Sequence, residues 1–236
     1  MSKKQNYTYK NAIDLNDQFA QPTIIINLVR KNTKVLDVGC GNGFLGHYLK
    51  ENRGCKVWGI ERNESWAKEA KEHYEDVVIV DLNYERICER LQEKFDVIIL
   101  ADILEHLISP ATVLNQIKKF VTENTDIIIS LPNIALWRIR LNLLFGRFNY
   151  TNRGILDKTH LRFYTLKSAK ELISKSGYKI QNIFIAQPQI PFEGILKLNQ
   201  IPIIKTLLIE FKKVISKLFP TIFATQFIFF CKIAYQ

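Results

Sequence analysis

Cysteine is scarce and scattered. The four cysteines, at 40, 55, 88 and 231, show neither Cys-x-x-Cys spacing nor a neighbouring histidine cluster. That excludes a zinc ribbon or redox dithiol as the organising feature and leaves them as small apolar residues. No stretch reaches the roughly 20 unbroken apolar residues of a transmembrane helix. The opening Met-Ser-Lys-Lys-Gln-Asn is followed by no apolar core and no small-residue cleavage site, so no secretory signal is read and a cytoplasmic location is expected. Repeats and low-complexity tracts are missing. Acidic residues are in deficit, 23 against 33 basic ones, for a net charge of +10, which favours an anionic partner whose kind depends on where the charge lies. Also absent is the Gly-x-Gly-x-x-Gly spacing of pyrophosphate-binding turns, since position 44 is Phe.

What is present is a 236-residue chain, 47% hydrophobic, enough for one full core with room for insertions. Its most informative stretch is Lys34-Val35-Leu36-Asp37-Val38-Gly39-Cys40-Gly41-Asn42-Gly43-Phe44-Leu45-Gly46. A short apolar run reads as a buried strand, and alternate glycines after an acid read as a tight turn. A helical pattern then starts at Phe44. Six further strand-like runs follow: Lys56–Ile60, Val77–Val80, Phe95–Leu100, Ile127–Leu131, Lys179–Ile185 and Thr225–Ile233. Helical patterns fill the earlier intervals, at Glu64–Tyr74, Tyr84–Glu93 and Pro110–Val121, and another follows Pro22 and stops before Lys34. Strands alternating with helices predict an α/β fold with a mostly parallel sheet covered on both faces. Ligands of such sheets bind outside the carboxyl ends of the strands. There the chain carries Glu61 with Arg62 after the second strand, Asp81 with Leu82 after the third, and Ala101-Asp102 after the fourth.

The Asp-x-Gly-x-Gly-x-Gly turn, with acids at the later strand ends, resembles motif I and its context in the class I S-adenosylmethionine-dependent methyltransferases. The resemblance implies a Rossmann-like seven-stranded sheet with an antiparallel last strand, and S-adenosylmethionine as cofactor. Asp37, Gly39, Cys40, Gly41, Gly43 and Phe44 would wrap its amino-acid part. Glu61 and Arg62 would meet the ribose, Asp81 and Leu82 the adenine, and Ala101 and Asp102 would flank the cofactor. The reading is one domain over 1–236: an N-terminal segment (1–32), a cofactor-binding core (33–131), an acceptor-covering insertion after strand 5 (132–178), and C-terminal strands with a basic amphipathic helix (179–236).

Adenosylmethionine carries an activated methyl group, so the enzyme must align a nucleophile and help remove its proton. His106 and His160 sit in candidate loops and are the expected catalytic residues, whereas His47 and His73 lie in helical patterns and read as structural. The segment Leu156-Asp157-Lys158-Thr159-His160-Leu161-Arg162-Phe163-Tyr164-Thr165 resembles one in quinone-biosynthetic O-methyltransferases. Together with Leu131-Pro132-Asn133 and Leu144-Phe145-Gly146-Arg147-Phe148-Asn149-Tyr150, it is more similar to small methyltransferases of bacterial surface-glycan loci. Between Asn133 and Lys179 there are ten basic and two acidic residues. Asn133, Arg138, Tyr150 and Arg162 are therefore expected to bind an anionic glycan, nucleotide sugar or related small acceptor of cell-envelope polysaccharide synthesis. Asp102, Glu105, His106 and His160 resemble the divalent-metal set of small-RNA 2′-O-methyltransferases and of some quinone O-methyltransferases, with Asp in place of the first Glu. An RNA 2′-O-methyltransferase is thus an alternative, weakened by the lack of an evident RNA-binding module. A third reading, from a resemblance of the Leu-Pro-Asn to Arg-rich portion, is a non-catalytic, cofactor-binding partner of a homoserine acyltransferase. Finally, Ile204, Leu207, Leu208, Phe211, Ile215 and Leu218 recur at helical spacing beside Lys205, Lys212, Lys213 and Lys217. Residues 203–219 read as a helix covering the sheet, with contact to the inner face of an anionic membrane as the alternative.

Overall fold

The computed structural model describes residues 13–191 and 202–234, with side chains of the helix at Pro202–Leu218 described from Leu207 onward. Seven strands, β1 (Lys34–Val38), β2 (Lys56–Glu61), β3 (Asp76–Ile79), β4 (Val97–Ala101), β5 (Asp126–Pro132), β6 (Tyr178–Ala186) and β7 (Gln226–Ile233), form one sheet in the order β3-β2-β1-β4-β5-β7-β6. The first five pair in parallel, and β7 inserts antiparallel between β5 and β6. All seven expected strands are found, within one or two residues at their ends. Their unbroken Val and Ile runs are those of strands covered on both sides.

The cover comes from α1 (Gln21–Leu28), α2 (Phe44–Arg53) and α3 (Glu64–Ala70), which bury Ile25, Leu49 and Ala67 with Val35, Val57 and Ile99 on one face. On the other, α4 (Pro110–Ile117) and α6 (Leu166–Lys175) bury Leu114 and Ile173 with Leu36, Ile98 and Phe229. Each such side chain removed from water stabilises the fold by about 1.5–3 kcal/mol. Within the expected 132–178 insertion, α6 roofs the sheet and α5 (Trp137–Leu144) stands between β5 and α6 in the chain.

Three expectations fail locally. Tyr84–Glu93 is no α-helix, and only Ile87–Glu89 makes a 3-10 turn. An aspartate turn at Asp81 (Asn83 N to Asp81 Oδ1, 3.0 Å) and donation of the Ile87 amide to Gln116 Oε1 (2.9 Å) take the backbone groups a helix would need. Ile87 and Leu91, four apart, are instead loop anchors in the core. The helix at 64–74 stops at Ala70, freeing Tyr74 to turn inward. Third, α7 (Pro202–Leu218), followed by α8 (Pro220–Phe223), does not lay its whole apolar face on the sheet. Leu208 and Ile215 are half-buried, while Leu207, Phe211 and Leu218 are exposed. The side chain of Ile204, like residues 1–12 with Tyr7 and Tyr9, lies outside the described residues.

Candidate functional site

The order of the sheet reverses between β1 and β4, and the turn after β1 occupies that switch point. Amides of Gly39 and Cys40 donate to the Ile60 carbonyl (2.8 and 3.0 Å), tying the turn to the end of β2. Gly43 opens α2 with φ +85°, and a Cβ there would meet Ala70 Cα at 2.7 Å, so it serves the turn and its packing on α3. Tyr74 lies over Gly46, accepts its amide (3.0 Å) and donates to Asp37 Oδ2 (2.7 Å). A Cβ on Gly46 would collide with the Tyr74 ring. Burial raises the Asp37 carboxyl to about 6, with Tyr74 pulling it down and Glu61 pushing it up by a smaller amount. Burial likewise pushes up the Cys40 and Tyr74 pKa values, so both stay neutral.

Glu61 reaches back across this turn: Oε2 accepts from Gly41 N (2.9 Å) and Oε1 from Asn63 N (2.8 Å), so each oxygen keeps a lone pair for a ligand. A cavity of about 670 Å³ opens over these groups. Its lining includes Asp37, Gly39, Cys40, Gly41, Phe44, Glu61, Arg62, Asp81, Leu82, Ala101 and Asp102, so eleven of the twelve residues expected to hold the cofactor share one wall, Gly43 being the exception. Among the described residues the lining has seven carboxylates, from Asp14, Asp17, Asp37, Glu61, Asp81, Asp102 and Asp157, against a single Arg62. Such a wall suits a cationic ligand.

At the mouth, Asp102 has a left-handed φ of +51°. Ser130 Oγ donates to its Oδ1 (2.6 Å) and Gln226 Nε2 to its Oδ2 (2.9 Å), while Gln21 Nε2 donates to Ser130 Oγ (3.1 Å). Burial raises its pKa. Glu105, His106 and His160 converge, with potential ligand atoms within 4.8 Å of one another, and the Asp102 carboxylate is not among them. The triad is brought together by the 155–162 loop, whose Leu161 and Arg162 amides both donate to the Glu105 carbonyl (2.8 and 3.0 Å). Both carboxylate oxygens of Glu105 are buried without a hydrogen-bond partner, and burial, then Asp102, drives its pKa well up. His106 Nδ1 lies 3.2 Å from the Thr159 carbonyl and His160 Nδ1 3.0 Å from that of Ile155. A carbonyl only accepts, so in a neutral ring each Nδ1 would carry the proton and Nε2 would keep its lone pair; the Thr159 hydroxyl, also 3.2 Å from His106 Nδ1, donates to Asp157. Burial, then His160, lowers the pKa of His106, favouring its neutral form.

The acceptor residues expected from sequence fare differently. His106 lines the cavity, as do Asp157 and Thr159, which were not expected to, whereas His160 stands behind the lining. Asn133 is fully buried and spends its amide on the carbonyls of Thr221 (3.0 Å) and Ala224 (2.8 Å) and on the Ala135 amide (3.0 Å), making it a structural pin. Arg162 Nη2 donates to the Ile108 carbonyl (2.7 Å), Arg138 is exposed on α5, and Tyr150 packs edge-on to Phe148 outside the lining. His47 and His73 lie tilted against each other, ring centroids 4.5 Å apart, also outside it. Sequence reasoning missed Gln21, Ser130 and Gln226, whose polar side chains carry no local pattern.

Among solved structures, an S-adenosylmethionine-dependent methyltransferase from Archaeoglobus fulgidus superposes with a TM-score of 0.62 at 19% identity, over 89% of this chain and 90% of that one. One from Aquifex aeolicus gives 0.58 at 15%, over 92% and 91%. At these identities the likeness is one of fold, and the fold is that of the class I methyltransferases. The ubiquinone biosynthesis O-methyltransferase of Pseudomonas aeruginosa PAO1 is 34% identical over 104 residues, 42% of this chain and 44% of the relative. That of Pseudomonas fluorescens SBW25 is 34% identical over 112 residues, 46% and 47%. The chain thus spans less than half the length of the curated relatives it matches. The profile described as methionine biosynthesis protein MetW matches residues 20–191, most of the sheet, the glycine turn and the whole histidine loop, and the chain belongs to that family.

Proposed function

We propose that this protein is an S-adenosylmethionine-dependent methyltransferase acting on an acceptor oxygen. The observation that carries the reading is an acidic cavity in which eleven residues picked from the glycine turn and the strand ends meet in a lining suited to a sulfonium and an ammonium group. Its mouth opens on His106, next to Glu105 and His160, so a hydroxyl can be held and deprotonated beside the methyl donor. The relatives' names favour oxygen as the methylated atom.

For the acceptor we keep the anionic class, a glycan, nucleotide sugar or related small molecule, with one amendment. The basic residues of the insertion do not line the cavity, so the acceptor's charge would stay at the rim while its hydroxyl enters. A divalent cation belongs to the same reading. Glu105, whose buried oxygens lack partners, and the Nε2 atoms of His106 and His160 fit one, and each histidine is braced by a carbonyl as metal-bound imidazoles are. Bound there, the ion would lower the pKa of an acceptor hydroxyl.

The family's description, methionine biosynthesis, supports a second reading, a non-catalytic cofactor-binding protein, and the resemblance noted in the sequence names a homoserine acyltransferase as its partner. One experiment separates them. Adenosylhomocysteine binding is measured by calorimetry, and methyl transfer from labelled adenosylmethionine is followed across hydroxyl acceptors with and without phosphate. Binding with turnover supports the enzyme, and binding without turnover plus a stable complex with the acyltransferase supports the partner. No binding of either ligand at millimolar concentration sinks both.

A further inference from the structure

Helix α7 is turned the wrong way for a solvated helix. Leu207, Phe211, Val214 and Leu218 are 65%, 51%, 56% and 66% exposed. At 3.6 residues per turn their side chains fall within roughly 60° of one another, on the side opposite the buried Ser216. Normal amphipathicity puts the polar stripe there. Phe219, 51% exposed, extends the stripe beyond the helix end. A contiguous exposed apolar strip of this kind marks an interaction surface.

Charge selects the occupant. Residues 202–218 hold four lysines and one glutamate, a net +3; Lys217 and Lys213 lie on one side of the stripe, where Glu210 also stands and pairs with Lys213 (2.6 Å). The exposed Arg138, Arg140 and Arg147 stand on the insertion, which rises from the same carboxyl edge of the sheet. The two regions are joined at their bases, because Asn133 grips the Thr221 and Ala224 carbonyls just beyond α7. A second exposed apolar group, Leu143, Leu144 and Phe145, lies at the end of α5 beside Arg147. Apolar stripes bordered by lysine and arginine fit the interface of an anionic bilayer, where the apolar side chains enter the acyl boundary and the cations meet phosphate. A protein partner would need a matching acidic rim. No helix among the described residues is long and apolar enough to cross a membrane, so the contact would be peripheral.

We propose that α7, with the adjoining tip of the insertion, docks this protein on anionic phospholipid, holding the cavity mouth at a membrane surface. The inference is independent of the reaction run in the cavity. The test uses the full chain without cofactor in vesicle flotation, comparing phosphatidylcholine alone with a phosphatidylcholine–phosphatidylglycerol mixture. The chain should float with the anionic vesicles only, and added salt should release it. Phe211→Glu and Leu218→Glu should each lower the partition coefficient at least about tenfold. The same charge at Tyr84, 80% exposed and off this helix, should not. Unchanged thermal melts keep the comparison clear of misfolding, and both substitutions are at exposed positions. Absence from both vesicle types, equal partition of the variants, or a dimer by light scattering that Phe211→Glu splits would each overturn the proposal, the last in favour of a second copy.

Discussion

Removing one oxygen atom, in Tyr74→Phe, tests how the glycine turn holds its charge. The hydroxyl donates to Asp37 at 2.7 Å and accepts from Gly46 at 3.0 Å, both inside the core. A hydrogen bond to a charged group contributes about 1.5–3 kcal/mol, and an orphaned buried amide costs about 1–3 kcal/mol, so a loss of roughly 2.5–6 kcal/mol in unfolding free energy is expected. Tyr74 also holds down the Asp37 pKa, which stands at about 6. Losing about 1.5–3 kcal/mol at 1.36 kcal/mol per unit moves it up by about one to two units. Folding and binding then respond to pH in opposite directions. Because the folded pKa exceeds the unfolded one, Asp37 makes its fullest contribution to stability below the unfolded value of about 3.9 and loses it as pH rises to about 6. A ligand ammonium needs the carboxylate, so adenosylhomocysteine affinity should fall as pH drops through about 6, by up to about tenfold per unit. In Tyr74→Phe that decline should begin one to two units higher, with affinity approaching wild type at alkaline pH. Calorimetry across the pH range, beside urea melts, measures both quantities. A decline that stays at the wild-type pH in the variant, or a wild type with none near 6, would refute the reasoning.

Three further outcomes are expected. Glu61→Ala should weaken adenosylhomocysteine by about 1.5–3 kcal/mol by calorimetry, through lost ribose acceptors and freed Gly41 and Asn63 amides. Chelator should abolish turnover and Mn²⁺ or Mg²⁺ restore it, while Glu105→Gln should lose the ion's effect and keep cofactor affinity; full activity in chelator would remove the metal from the scheme. His160→Ala should lower kcat in steady-state kinetics with adenosylhomocysteine binding unchanged, as a lost ligand of the ion or, if turnover survives chelator, as a lost general base costing roughly 10²–10⁴-fold; near-wild-type turnover would strip it of either role.

The strand ends were legible because strands covered on both faces read as Val/Ile runs, and chemistry in this fold gathers where they stop. Periodicity failed where it measured spacing without context. Ile87 and Leu91 look helical, yet each is a separate loop anchor, and the α7 pattern announces an apolar face without saying which way it turns. Asn133 was drawn toward a ligand by its segment's resemblance, whereas its buried amide is spent on the Thr221 and Ala224 carbonyls; Arg162 gives one donor to the Ile108 carbonyl and keeps others exposed. Whether a polar side chain is already used is a tertiary fact.

The tie around Asp102 bears on how the site comes into being. Its partners Gln21, Ser130 and Gln226 stand 81, 28 and 124 residues away along the chain, on α1, β5 and β7. Contacts of such separation close late, because long loops must be ordered first. The glycine turn can therefore form early with β1 and β2, while the cavity mouth waits for the last strand to slide between β5 and β6. Without β7 in place the glycine turn would still lack the Gln226 brace on Asp102, so the full lining of the cavity depends on strands drawn from both ends of the chain.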